Sequence, residues 1–325
     1  MTFLIARDRP DRTELFAWAT VLLTGGVLSW ASATHPATIP AWAPWDFSWP
    51  IFGALAAALW WYARGLTRTP AAARPAGWRQ ACFLAGMLLL YTVLQTRFVY
   101  LSQHMFFLNR LQHLAMHHLG PFLIALAWPG ATIRRGMPAW VRGIIDSRAM
   151  RRTMWVVQQP LIAAALFVGL IALWLEPDIH FAAMIDPRLY AVMNASMVID
   201  GLFFWCLVLD PRPAPPARTG YAVRMAIVVG VMFPQILMGS TIAFTQQVLY
   251  SYYDLCGRLY PSVNATLDQH LGGLVVWIPA AMMSVIGFFV VLVHFRLHEE
   301  AMADQLPDPG ETGGIVLRAS AWTGR

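Results

Sequence analysis

Residues 268–295 read DQHLGGLVVWIPAAMMSVIGFFVVLVHF. Three hydrogen-bonding side chains open the stretch, and from Leu271 to Val293 no residue carries a charge. An apolar run of that length is what an α-helix needs to cross a hydrocarbon core about 30 Å thick. Working back toward the N-terminus, similar blocks stand at roughly 14–33, 48–66, 80–101, 104–128, 155–175, 189–209 and 222–248. Backbone polar groups inside lipid have to be satisfied within the segment, so such blocks form helices or not at all. The expectation is an all-α, polytopic membrane helix bundle of eight spans. Composition agrees: 58% of the 325 residues are hydrophobic and 12% charged, against about 25% charged in a soluble domain. Aromatic residues at 13% exclude a disordered chain.

All 23 basic residues are arginine. Without a lysine, Schiff-base chemistry and lysine-dependent phosphate loops are excluded. Nineteen arginines fall on one side of the eight-span scheme, in the N-terminal segment, the second, fourth and sixth loops and the tail; only Arg97, Arg110, Arg188 and Arg258 fall on the other. Excess arginine marks the cytoplasmic face. Both termini are therefore expected inside, in a multi-pass membrane protein. The net charge of +6 is read as this topology signal rather than as nucleic-acid binding. Cys82, Cys206 and Cys256 form no CxxC pair, and no internal disulfide is expected.

Three regions follow. Residues 1–44 form an N-terminal segment holding the first span, which also reads as a signal peptide ending at Ala31-Ser32-Ala33. Its apolar part is longer than a signal needs, which favours an uncleaved span. Residues 45–298 form a seven-helix membrane domain, and 299–325 a disordered cytoplasmic tail.

Polar side chains inside a membrane are costly and mark function by default. Here they gather toward the non-cytoplasmic side. Span four carries Asn109, Arg110, Gln112, His113, His117 and His118; span six carries Asn194 and Asp200; span eight begins with Asp268 and His270. These residues predict a polar chamber open to the periplasm and closed by an apolar inner half. Asn109, His113 and His117 recur every fourth residue, one helix face. His113 and His117 could thus share a metal ion, although a site of three or four ligands needs more; the plain alternative is that each imidazole bonds a neighbouring helix. His118 falls on another face and is expected to pack against a different span. Met105, Met116, Met193, Met197 and Met238 offer soft ligands suited to Cu(I) or simply fill gaps. Asp200 needs a cation or must stay protonated; Arg110 and Arg97 are candidate partners, in a structural ion pair or a proton relay. His298-Glu299 lacks the second histidine of a zinc-protease helix, and Gly239-Ser240 lacks a nucleophile-elbow frame.

The stretch Asp268-Gln-His-Leu-Gly-Gly-Leu-Val-Val-Trp277-Ile-Pro279 resembles the last-span signature of the CtaG-type cytochrome c oxidase assembly factors. Leu249-Tyr-Ser-Tyr-Tyr253 resembles that family's tyrosine-rich loop, Leu111-Gln-His113 followed by Pro121-Phe-Leu its histidine helix, and Gly201-Leu-Phe-Phe-Trp205 the end of a middle span. Trp49 through Gly65 and Trp78 through Gly86 fit its early spans, so the likeness covers about 45–295 and leaves span one as an addition to a seven-helix core. The resemblance implies a bacterial inner-membrane protein, accessory and not an enzyme, for assembly of a haem–copper oxidase. Copper would be its cargo, and oxidase subunits or other assembly factors its partners. Two positions depart from the family pattern: Asn109 and Asn194 stand where histidine is expected. Asparagine binds Cu(I) far less well than imidazole, so the implied metal role rests on His113. A haem- or quinone-binding redox membrane protein is the competing expectation, and an outward-facing transporter a third.

Overall fold

The computed structural model describes residues 12–304. In chain order its helices are α1 (Arg12–Thr34), α2 (Trp49–Thr67), α3 (Gly77–Gln95), α4 (Phe98–His104), α5 (Phe106–His113), a π-helical segment (Leu114–Leu119) and α6 (Gly120–Ala127). They continue as α7 (Gly130–Gly136), α8 (Ala139–Ile145), α9 (Arg148–Val157), α10 (Pro160–Leu175), α11 (Pro177–Ile185), α12 (Pro187–Val208), α13 (Tyr221–Phe244), α14 (Tyr252–Cys256) and α15 (Ala265–Ala303). No strand occurs among the described residues. Arg7, Arg9 and the tail from 305 onward lie outside them.

Among the described residues five helices, α1, α3, α12, α13 and α15, are long and apolar enough to cross a membrane, and α9 with α10 makes a sixth if a bent pair counts as one span. Several such helices fit a multi-pass membrane protein; the expected eight spans are not all reproduced. The shortfall has local causes. Gln158, Gln159 and Pro160 interrupt the block expected at 155–175, and α9 meets α10 at 75°. α10 alone is 16 residues. α2 carries Arg64 beside Trp60, Trp61 and Tyr62, which lowers its apolar character. The block expected at 104–128 is continuous helix from Phe106 to Ala127, yet it is diluted by Asn109, Arg110, Gln112 and His113 and wound as π over one turn. It stops at Trp128, whose backbone is left-handed at φ 50°.

The helices run between two ends, one holding Tyr250, Tyr252 and Tyr253 (the tyrosine end) and one holding Arg134, Arg212 and Arg218 (the arginine end). α13 and α15 form the main seam. A Cβ on Gly273 would lie 2.4 Å from the backbone nitrogen of Ala243, and one on Gly239 2.7 Å from Trp277. Small residues let these backbones touch, the usual basis of helix association where lipid removes the hydrophobic drive. α12 lies against α6 and the π segment, α3 against α6, and α2 against α7. Phe167, Phe204, Trp205 and Val228 fill the core toward the arginine end. Phe106, Trp174, Met193 and Tyr253 fill it toward the tyrosine end, and Phe83, Leu90 and Met116 join α3 to the π segment. Among the described residues α1 stands apart, touching only α2 closely, through Gly25 under the Trp49 ring and a Glu14–Arg64 ion pair of 3.0 Å.

Candidate functional site

The site is built on α5 and its π continuation, and α15 positions them. Asp268 accepts the backbone N–H groups of Phe106 (3.0 Å) and Phe107 (2.9 Å). The first N–H groups of a helix have no partner within it, and a carboxylate there also meets the positive end of the helix dipole. Asp268 therefore caps a helix far away in sequence. Arg258 approaches the same carboxylate at 3.4 Å and also pairs with Asp254. Gln269 accepts from Leu249 N–H (2.7 Å) and donates to Gln247 O (2.9 Å), and His270 Nε2 lies 2.9 Å from Thr245 O. A Cβ on Gly272 would fall 2.2 Å from the Phe106 ring. The sequence signature is thus a fastening, tying α15 to α5 and to the segment after α13.

Below the cap, the Phe106 ring stacks on Tyr250 at 3.9 Å and stands edge-on to His180 and Tyr253. One turn further, the Arg110 guanidinium lies 5.1 Å from the Phe106 ring centre and donates to Asn109 Oδ1, with His180 Nδ1 3.5 Å away. His180 Nε2 lies 2.9 Å from the Tyr253 hydroxyl. Arg110 Nε has no partner, and no carboxylate lies within ion-pair range of Arg110 among the described residues. Asn109 Nδ2 points to Met184 Sδ at 3.7 Å. Gln112 donates to Val93 O and accepts from Tyr190.

His113 follows, and neither of its ring nitrogens has a partner although the residue is buried. A neutral imidazole carries one donor and one acceptor, so both are left unmet. His118 Nε2 lies 2.9 Å from Gln235 Oε1, while Gln235 Nε2 donates to Val231 O. That arrangement puts the proton on His118 Nε2 and leaves the lone pair on Nδ1, which has no partner. His117 Nε2 lies 2.9 Å from Asp200 Oδ2, its Nδ1 is also unpartnered, and its ring stacks on Phe167 at 4.0 Å. A cavity of about 30 Å³ is lined by Arg110, His113, His118, Met197 and Gln235, room for about one water-sized occupant.

His118 shares this cavity with His113, where α-helical spacing puts it on another face. The π winding is the reason: i→i+5 bonding widens the turn and brings residues five apart into line. Asp200 corrects a second expectation, being paired with His117 and with neither arginine. A helical side chain leans toward the helix N-terminus, so Arg110 reaches back to Phe106, away from the His117 level. Arg97 lies over the Trp45 ring at 4.5 Å. Asn194 is buried with its Oδ1 unpartnered. Gln235 and Tyr190 escaped the sequence reading, and Tyr253 entered it only as part of the tyrosine-rich loop. Gln235 had a signal, being the only amide in the apolar run of α13. Among the described residues no three His, Cys, Asp or Glu side chains come close enough to hold a metal ion together; the cavity offers two imidazoles and one thioether.

The sequence profile of the cytochrome c oxidase caa3 assembly factor family (Caa3_CtaG) matches residues 60–297, well over half of the chain. No curated protein and no solved structure matches.

Proposed function

The chain belongs to that family of cytochrome c oxidase assembly factors, and on this premise we propose that it holds one Cu(I) ion in transit, on His113 with His118 and Met197 beside it. One observation carries the reading: His113 is buried with both ring nitrogens unpartnered, in a cavity shared with a second free imidazole lone pair and a thioether. Nitrogen and thioether donors suit Cu(I). Gln235 on His118 and Asp200 on His117 supply the outer hydrogen bonds that fix a ligating imidazole, and His117 Nδ1 gives the ion a neighbouring stop. Arg110 lines the same cavity, and its charge disfavours a divalent resident and speeds departure. Delivery needs only ligand exchange, so no catalytic turnover is invoked. A porphyrin does not fit a cavity of about 30 Å³, which weighs against haem at this place.

The accompanying topology has eight crossings, α2 and the α5–α6 rod included, in a bacterial inner membrane. Both termini and the arginine end face the cytoplasm, and the tyrosine end, with Asp268 and His270, faces the periplasm and the oxidase subunit or assembly factor that takes the metal. Residues 45–298 are the working core, and 1–44 an addition. The test is competition for Cu(I) against a chromogenic chelator with the purified full chain. His113→Ala is expected to weaken binding by at least about tenfold, the loss of one ligand in a site of two or three, and His118→Ala by a similar factor. Equal Cu(I) retention by wild type and both variants, or none by any, overturns the proposal.

A further inference from the structure

At the arginine end a second cavity, of about 390 Å³, opens where the C-terminal ends of α6 and α12 meet the start of α13 and the α9–α10 bend. Its polar lining is Gln158, Asp210, Arg212, Arg218, Thr219 and Arg224, with Trp128 and Cys206 among the remaining walls. The charges do not balance. Arg212 donates to both oxygens of Asp210, at 2.9 and 2.8 Å, and so neutralises the one carboxylate in the lining. Arg224 is 1% exposed and donates only to main-chain carbonyls, those of Asp210 and Arg212; its Nε has no partner. Arg218 likewise reaches the carbonyls of Met154 and Trp155. Neither has a carboxylate partner among the described residues. Two uncompensated guanidinium groups around one cavity form an anion site, and the guanidinium fork matches phosphate oxygens.

Two tryptophans give the depth. The Arg212 guanidinium lies 5.3 Å from the Trp128 ring centre, and that of Arg218 5.1 Å from Trp155. Trp155 is 58% exposed, on the amphipathic α9 just before the bend. Tryptophan beside arginine at helix ends is the signature of the headgroup layer, and basic pockets between spans at that level take anionic headgroups. We infer that this cavity binds the phosphate-bearing headgroup of an anionic phospholipid, held by Arg218 and Arg224 with Thr219 and Gln158 as neutral donors. The inference is independent of the copper reading, since no residue is shared between the two cavities.

Native mass spectrometry of the detergent-purified full chain tests it, with phosphatidylglycerol or phosphatidylcholine added, each with and without inorganic phosphate. Phosphatidylglycerol is expected to survive as a bound adduct where phosphatidylcholine does not. Arg218→Gln should cut its retention about fivefold, the worth of one arginine near a charged headgroup, and Arg212→Gln should also lower it. Arg151→Gln, at the same end but outside the cavity, should leave it unchanged; a thermal melt of each variant verifies folding. Equal loss with Arg151→Gln would mean a diffuse charge effect, unchanged retention in Arg218→Gln an empty role for the cavity. Complete displacement by inorganic phosphate would reassign the site to the free ion. Each of these three results overturns the lipid assignment.

Discussion

At the residue scale, Asp268 shows how a short motif works over a long distance. Its two oxygens cap α5, so Asp268→Ala removes both acceptors at once. The expected cost is about 0.5–2 kcal/mol, the usual range for losing an N-cap. Hydrogen exchange should quicken at Phe106 and Phe107 while the amides of α13 stay protected. Protection unchanged at 106–107 would refute the capping role. The sequence made Asp268, His113 and Asp200 conspicuous, because a polar group in an apolar run is visible without a structure. It could not assign their partners, since Phe106 and His117 are set by tertiary packing. The Asp200–His117 pair joins α12 to the π segment, a contact no local pattern encodes.

Among elements, the π segment decides which histidines meet. Gly201 of α12 makes room for it: a Cβ there would lie 2.4 Å from His117 O. Gly201→Ala therefore pushes the segment out of register, at a cost of about 1–3 kcal/mol typical of overpacking. A lowered melting temperature in detergent, with Cu(I) binding weakened alongside, is the expected result; wild-type behaviour in both would show that α12 yields. Apolar length placed the blocks at 14–33, 48–66, 189–209 and 222–248 within a few residues of the helices found. It missed the π winding at 114–119 and the 158–160 bend, although Gln158, Gln159 and Pro160 stand inside the block and mark the second. The arginine-rich connection contributes a pH effect of its own. Arg134 and Asp146 join at 2.9 and 2.5 Å, and hydrogen bonding from Arg134 holds the Asp146 carboxyl below its ordinary value of 3.8. A lowered folded value means the link is present above 3.8 and lost as pH falls through the folded value. Acidification past that point should speed exchange across 130–147, and Asp146→Asn should abolish the dependence.

Across the whole molecule, α1 is peripheral. Its buried residues are Glu14, Gly25 and Ser32, Leu23 is 72% exposed, and the family match begins after it, at residue 60. Removing residues 1–44 should leave a membrane-inserted protein whose Cu(I) affinity stays within about twofold of the full chain, as expected when distant sites act independently. A larger drop would make α1 part of the working core. The fold class and the polar concentration near span four were legible because apolar length and intramembrane polarity are properties of the chain itself. Apolar length does not by itself fix the number of crossings, because a bent or π-wound segment satisfies its backbone as well as a straight one.

The interlocked rings of Phe106, Tyr250, Tyr253 and His180 have a kinetic consequence. On the proposed copper role, an ion moving between the tyrosine end and His113 would have to part that paving, breaking face-to-face and edge contacts together with the His180–Tyr253 hydrogen bond. Under that proposal loading and unloading would share one steep thermal barrier, and occupancy would lag behind supply in the cold even with affinity unchanged.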